Sequence, residues 1–161
     1  MVESAKTELN YSRGKTKMNT SKMISLLNDD LGNEYKHLHF YLHSGLVIQG
    51  LYREEYRGFL LKEAAGEMLH VQQFGDIILG LGGFPVSHPK EFPANLTNPK
   101  DILTYAFEME KEVVHNYVQR MQDAKDLGGD DGQWLEIFLE DQIMKSRQDV
   151  DHYRQIIAGL R

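Results

Sequence analysis

From about residue 20 onward, apolar residues recur in alternating steps of three and four, the spacing that collects them on one stripe of a helix. Ile24, Leu27, Leu31, Glu34, Leu38, Tyr41 and Gly45 form the first stripe. Asn19, Thr20 and Ser21 precede it and supply the side chains that cap a helix N-terminus. Gly50 marks a turn. The second stripe runs through Phe59, Glu63, Glu67, His70, Phe74, Ile77 and Leu81, and stops at Gly82-Gly83-Phe84-Pro85. All four prolines (Pro85, Pro89, Pro93 and Pro99) fall within or at the end of the next segment, which therefore reads as a long crossover rather than a helix. Asn98 followed by Pro99 is a helix start, a capping residue and then a proline at the first helical position. That third helix shows Leu103, Ala106, Glu110, Val114, Tyr117 and Met121. Gly128-Gly129-Asp130-Asp131-Gly132 breaks it. A fourth, from about Gln133, carries Leu135, Leu139, Ile143, Ser146, Val150, Tyr153 and Ile157.

At 1.5 Å per residue each of these helices is about 40 Å long. Joined by two short turns and one crossover between helices 2 and 3, they predict an all-α antiparallel four-helix bundle over residues 21–161. Residues 1–20 lack apolar periodicity and set Lys6, Arg13, Lys15 and Lys17 against Glu3 and Glu8, as expected of a mobile, mildly basic tail.

A length of 161 residues suits one domain with a real core, and 41% hydrophobic with 26% charged residues is ordinary for a globular chain. The net charge of −6 argues against nucleic acid as the main partner and suits cations instead. No cysteine is present, which excludes disulfides, thiolate zinc sites and cysteine-ligated clusters. No apolar run approaches membrane-spanning length, and the first residues lack the apolar stretch of a secretory signal, so a cytoplasmic location is expected.

Polar residues inside the stripes change this picture. A carboxylate in a bundle core is costly unless it is paired or bound to a metal. Glu34, Glu67, Glu110 and His70 all fall on otherwise apolar faces, which points to a metal site. Glu34 and Glu67 are equidistant from the turn at Gly50, so they lie level and can share one ion with His70. Glu110 is the third glutamate, because it alone shares the stripe of Ala106, Val114 and Tyr117, whereas Glu108 and Glu112 do not. His37, His39 and His43 cluster on the first helix, but His37 and His39 are two apart, face different sides and are no ligand pair by helical geometry. Glu112-x-x-His115 lies off the stripe and reads as a surface pair, while Asp149-x-x-His152 is open to either reading. Glu63, one turn before Glu67, either lines a path for cations or faces a polar cavity.

Leu26-Leu27-Asn28-x-x-Leu31-Gly32-Asn33-Glu34, then Tyr41, then Glu67-Met68-x-His70, resembles bacterioferritin and its ferritin relatives, as does the closing Leu81-Gly82-Gly83-Phe84-Pro85. The resemblance covers the chain after the tail and is clearest in the first two helices. It implies a ferritin-like bundle in which Glu34, Glu67, His70 and Glu110 bind two irons per chain. Glu67 would bridge them, and Tyr41 would hydrogen-bond at the site. It further implies oxidation of Fe(II) by O₂ or H₂O₂, with iron stored or detoxified. The fourth helix departs from the family's Glu-x-x-His. One register places Ser146 and Asp149 there and another places Gln142; the first is favoured, since Ser146 lies on the apolar stripe and mirrors Glu110 across the glycine turn. Either leaves the second metal position weakly held, and the ferroxidase activity correspondingly weak. Met68 matches the position of the haem-ligating methionine of bacterioferritins, although filling a subunit interface is the expected role. The chain ends at Arg161 without the family's short fifth helix and so resembles the Dps-type miniferritins, implying a homo-oligomer, a dimer at least, with a twelve-subunit shell favoured over one of 24. The rival readings are a DNA-protecting miniferritin using the basic tail, a haem-binding or structural bundle with a decayed metal site, and a di-metal oxidase of an organic substrate.

Overall fold

The computed structural model describes residues 17–160. Residues 1–16, most of the expected tail, lie outside the described residues. The chain forms α1 (Thr20–Val47), α2 (Arg53–Gly80), α3 (Pro99–Leu127) and α4 (Gly129–Gly159), with no strand among the described residues. No described helix is long and apolar enough to cross a membrane.

The helix starts follow the capping residues. Asn19 accepts from the Lys22 N–H at 2.9 Å, and Asn98 accepts from those of Lys100 and Asp101 at 2.9 and 3.4 Å. Pro99 fits the first position of α3 because no intrahelical partner awaits its missing N–H. The start of α4 differs from the sequence expectation: it begins at Gly129, a turn before Gln133. Gly128 and Gly129 reverse the chain with positive φ values of 68° and 65°, and the Gly128 N–H closes α3 on the Ala124 carbonyl at 3.1 Å. A Cβ on Gly132 would sit 2.6 Å from that same carbonyl oxygen. The glycine cluster is thus a tight corner plus a first turn, in which Asp130 and Asp131 meet the positive end of the helix dipole.

Helix α1 packs along α2 and α3 along α4, with α1 also touching α3, while α2 and α4 make few close backbone approaches. The crossover returns along α1. Asn28 donates to the Phe84 carbonyl and accepts from the Val86 N–H at 3.0 and 2.8 Å. Further on, the Lys90 N–H donates to the Gly32 carbonyl at 3.1 Å and the Gln49 N–H to that of Thr97 at 2.9 Å. Pro99 is thereby delivered beside Gly50, and α3 runs antiparallel to α1.

Two apolar clusters fill the interior. One gathers Met23, Leu27, Leu31, Phe74, Ile78, Tyr117 and Leu139; the other gathers Phe40, Leu60, Ile102, Leu103, Met109 and Tyr153. In α2 the buried line runs through Leu60, Ala64, Glu67, Phe74 and Ile78, so Phe59 and Glu63 stand at its margin. The apolar runs Phe59-Leu60-Leu61 and Ile77-Ile78-Leu79 allow either line to be drawn from sequence. Packing against α1 selects one. Between the two clusters lies a polar layer.

Candidate metal centre

Three helices project ionisable side chains into that layer. Glu34 and His37 come from α1, Glu67 and His70 from α2, and Glu110 from α3. Glu34, His37, Glu67 and Glu110 are 1, 2, 6 and 2% exposed, so solvent gives their charges little help. They answer one another instead. The two oxygens of Glu67 face different partners: Oε2 lies 2.8 Å from His70 Nδ1, and Oε1 lies 3.6 Å from His37 Nδ1. His70 Nδ1 is also 3.3 Å from Glu34 Oε2, and His37 Nδ1 is 3.5 Å from Glu110 Oε1. Two clusters of potential ligand atoms result, Glu34–Glu67–His70 and His37–Glu67–Glu110, joined through one carboxylate. Tyr41 donates its hydroxyl to Glu110 Oε1 at 2.8 Å, and its ring stacks on that of Tyr153.

The electrostatics follow from burial and pairing. Burial opposes a charge on either ring, yet the carboxylate contacts outweigh it: Glu34 and Glu67 hold the His70 pKa up at about 10, and Glu110 and Glu67 hold that of His37 well above its ordinary value. Burial likewise opposes ionisation of Glu67, but the contacts of His37 and His70 win and keep its pKa low. Glu34 goes the other way, because burial, followed by the Glu67 charge, outweighs its single close histidine. Its Oε2 makes no hydrogen bond, since the His70 N–H is spent on Glu67. A buried carboxylate oxygen without a donor lacks exactly what a cation would supply. Carboxylate with imidazole is also a donor set that suits divalent iron, so the residues present fit a metal.

The other candidates lie differently. Asp149 belongs to neither cluster. With Glu63, Lys62 and Lys145 it lines a cavity of about 290 Å³ between α2 and α4 that reaches Glu67 and His70. Burial first, then the charges of Glu110 and Glu63, pushes the Asp149 carboxyl up to about 7. Glu63 accepts from the Tyr153 hydroxyl at 3.2 Å. Ser146 is buried at the same level of α4, and Gln142 is buried farther along, donating to Gln73 Oε1 at 3.3 Å with its own Oε1 unpartnered. Asp149, the α4 ligand expected from sequence, thus lines the same cavity as Glu67 and His70 and feels the charges of Glu110, Glu63 and Glu67, without joining either group of ligand atoms. Met68 is 52% exposed on the outside of α2, next to Leu69 and away from the centre. Glu112 and His115 are both exposed, as a surface pair should be.

His37 is what sequence reasoning missed. The signal that finds it is local, for Glu34-Tyr35-Lys36-His37 is itself Glu-x-x-His, the spacing of Glu67-Met68-Leu69-His70.

Residues 24–161 match the Ferritin family, described as the ferritin-like domain. Comparison with proteins of curated function gives no match. Among solved structures, a ferritin-like, diiron-carboxylate protein from Bacillus anthracis str. Ames is 26% identical, with a TM-score of 0.79 over 86% of this chain and 96% of that one. The bacterioferritin of Desulfovibrio desulfuricans is 20% identical, with a TM-score of 0.79 over 88% and 81%. A dodecameric thioferritin from Bacteroides fragilis, a bacterioferritin-related protein, is 22% identical with a TM-score of 0.71 over 89% and 90%. At those two identities the likeness speaks for the fold alone.

Proposed function

The chain belongs to the ferritin-like domain family, and on that premise we propose that it binds Fe(II) inside the bundle, oxidises it with O₂ or H₂O₂, and stores or detoxifies the product. One observation carries the reading: Glu67 divides its two oxygens between two groups of buried ligand atoms, as a carboxylate bridging two ions must. Glu34 and His70 serve one position and Glu110 the other. The description of the Bacillus anthracis protein as diiron-carboxylate supports the count of two.

Iron is the substrate here. Two Fe(II) ions held close together give up one electron each, and one O₂ takes both with two protons and leaves as H₂O₂. With H₂O₂ as oxidant, the same two electrons and two protons yield two waters. The protein's part is to hold both ions at once and to keep them from bulk water. The apolar clusters on either side of the layer do the second. Tyr41 fixes the free rotation of Glu110 through its hydroxyl. The cavity between α2 and α4 gives Fe(II) a route past Asp149 and Glu63.

Storage requires an enclosure, and a homo-oligomeric shell of twelve subunits is the form we propose. Leu42, Leu46, Met68 and Leu69 are exposed on the outside of the α1–α2 pair, an apolar face that a second subunit would cover. The test is anaerobic Fe(II) titration of metal-free protein, then exposure to O₂. Two irons per chain and rapid oxidation, both lost in Glu67→Ala, are the expected result. Oxidation no faster than in buffer overturns the ferroxidase reading.

A further inference from the structure

Helices α1 and α2 carry the same motif, Glu34-x-x-His37 and Glu67-x-x-His70, but use it differently. Residues three apart on a helix project side by side. His70 accordingly meets the glutamate of its own helix, its Nδ1 2.8 Å from Glu67 Oε2. His37 turns instead across the bundle, its Nδ1 3.6 Å from Glu67 Oε1 and 3.5 Å from Glu110 Oε1. Both distances exceed a good N–H···O hydrogen bond, about 2.7–3.2 Å. They come close to the spacing of two donors that share one ion, about 3.0–3.4 Å for bonds of about 2.1 Å at ordinary ligand angles.

From this geometry we infer that His37 is the nitrogen ligand of the second metal position, completed by Glu110 and Glu67 Oε1, and that α4 supplies none of the ligands. The inference rests on the dinuclear reading above and departs from the family pattern, in which the fourth helix brings its own Glu-x-x-His. The reason for the departure is visible in the chain. At this level α4 offers a buried hydroxyl, Ser146, and a carboxylate, Asp149, that lines the cavity and joins neither group of ligand atoms. The ligands then divide evenly. Each position takes one imidazole, one terminal carboxylate and one oxygen of the bridge, so the two are near equals, where the sequence alone implied one strong and one weak. Helix α4 is left free to shape the approach from outside.

The test uses zinc, which binds such donors without redox chemistry. Metal-free protein is titrated with Zn(II), bound zinc is counted, and X-ray absorption at the zinc edge reads the imidazoles per ion. Two zinc ions per chain with an average of one imidazole each is the expected result, and His37→Gln should retain a single zinc. The wild-type spectrum decides the matter even if His37→Gln fails to fold. Two zinc ions sharing one imidazole overturns the inference and leaves the dinuclear reading standing, with the second position then built by α4. So does retention of both ions by His37→Gln with loss of one in Asp149→Ala. A single zinc in the wild type also overturns it, His37 then being only the charged partner of Glu67 and Glu110. No zinc at all, or binding indifferent to Glu67→Gln, overturns the site itself.

Discussion

His37 and His70 stand on opposite sides of one carboxylate, His37 Nδ1 3.6 Å from Glu67 Oε1 and His70 Nδ1 2.8 Å from Glu67 Oε2. The two halves of the centre are therefore coupled through a single side chain, and Glu67→Ala should damage both while Glu34→Ala and Glu110→Ala each damage one. Loss of a supporting residue around a metal typically costs 10–100-fold in affinity or activity. Loss of the shared ligand should cost more than about 100-fold in the initial rate of Fe(II) oxidation, whereas either terminal glutamate variant should keep one ion per chain. Stopped-flow absorbance and metal analysis on the three variants check this. Equal losses in all three would show that Glu67 does not bridge.

Tyr41 meets the centre through Glu110. Its hydroxyl donates to Glu110 Oε1 at 2.8 Å in a site closed to water. Tyr41→Phe removes that donor with almost no change of shape, so Glu110 loses its orientation and one charge-assisted hydrogen bond, about 1.5–3 kcal/mol of stability in the metal-free protein. The affinity for one of the two metals should fall by about 10–100-fold and that of the other should not move. Stepwise zinc binding read by calorimetry separates the two. A uniform fall in both affinities would point to a general loosening of the fold.

The pH dependence of the metal-free protein has a defined sign above about pH 5. The Asp149 pKa is raised to about 7, mainly by burial, so its ionisation costs stability that is fully retained only below its unfolded value and is lost as pH climbs to 7. The His70 pKa is raised to about 10 by Glu34 and Glu67 against the opposing effect of burial, so its contribution is complete below its unfolded value of 6.5 and disappears as pH rises toward 10. Both act in one direction, and the metal-free melting temperature should fall from about pH 5 to about pH 9. A bound cation must displace the ring protons, so the stabilisation conferred by Zn(II) should grow over the same range. Melting curves with and without zinc at several pH values test both statements. A metal-free melting temperature that rises over this range would contradict the first, and a zinc effect that shrinks would contradict the second.

The fold was readable because its signals are repeated and local. Asn19 and Asn98 cap, Pro99 starts a helix, and apolar steps of three and four mark each interior face. The glycines at 128–132 misled, since composition cannot distinguish a loop from a two-residue corner followed at once by a helix. In the centre, Glu34, Glu67, His70 and Glu110 were conspicuous as ionisable interruptions of apolar stripes. His37 was not. A stripe drawn by hydrophobicity passes through Leu38, one residue and about 100° away. The structure buries His37 more deeply than Leu38, because the glutamates of two other helices face position 37. That information is tertiary and no local pattern holds it. The expectation of a ligand from α4 came from the resemblance, with the register chosen by the apolar stripe through Ser146 and its mirror relation to Glu110.

Outside the metal layer, Arg120 and Asp30 form a buried pair that ties α3 to α1, with Arg120 Nε 2.7 Å from Asp30 Oδ2. Burial raises the Asp30 pKa even with the guanidinium beside it, so the pair is costly to desolvate. Arg120→Ala should strand the carboxylate and cost about 3–5 kcal/mol. Replacing both partners together, Asp30→Leu with Arg120→Met, should recover most of that loss and can exceed the wild type. Chemical denaturation of the single and double variants measures it. If the double variant is as unstable as Arg120→Ala, the pair earns its place by attraction rather than by mutual relief.

Gly66 sits at the lip of the cavity between α2 and α4, in the middle of a helix where glycine is a poor choice. A mid-helix glycine costs roughly 0.5–1 kcal/mol relative to alanine. Nothing stands within 4 Å of the place its Cβ would take, so packing does not require it. What its absent side chain leaves is room over Glu67 and His70. Gly66→Ala should therefore stabilise the protein by about 0.5–1 kcal/mol. Gly66→Leu should extend over the mouth beside Asp149 and slow Fe(II) oxidation several-fold, with no change in the number of ions bound at equilibrium. The contrast between an unchanged stoichiometry and a slowed rate separates a blocked approach from a damaged centre. If Gly66→Leu oxidises iron as fast as the wild type, Fe(II) reaches Glu67 by some path other than the one between α2 and α4, and the acidic residues at this mouth serve another purpose.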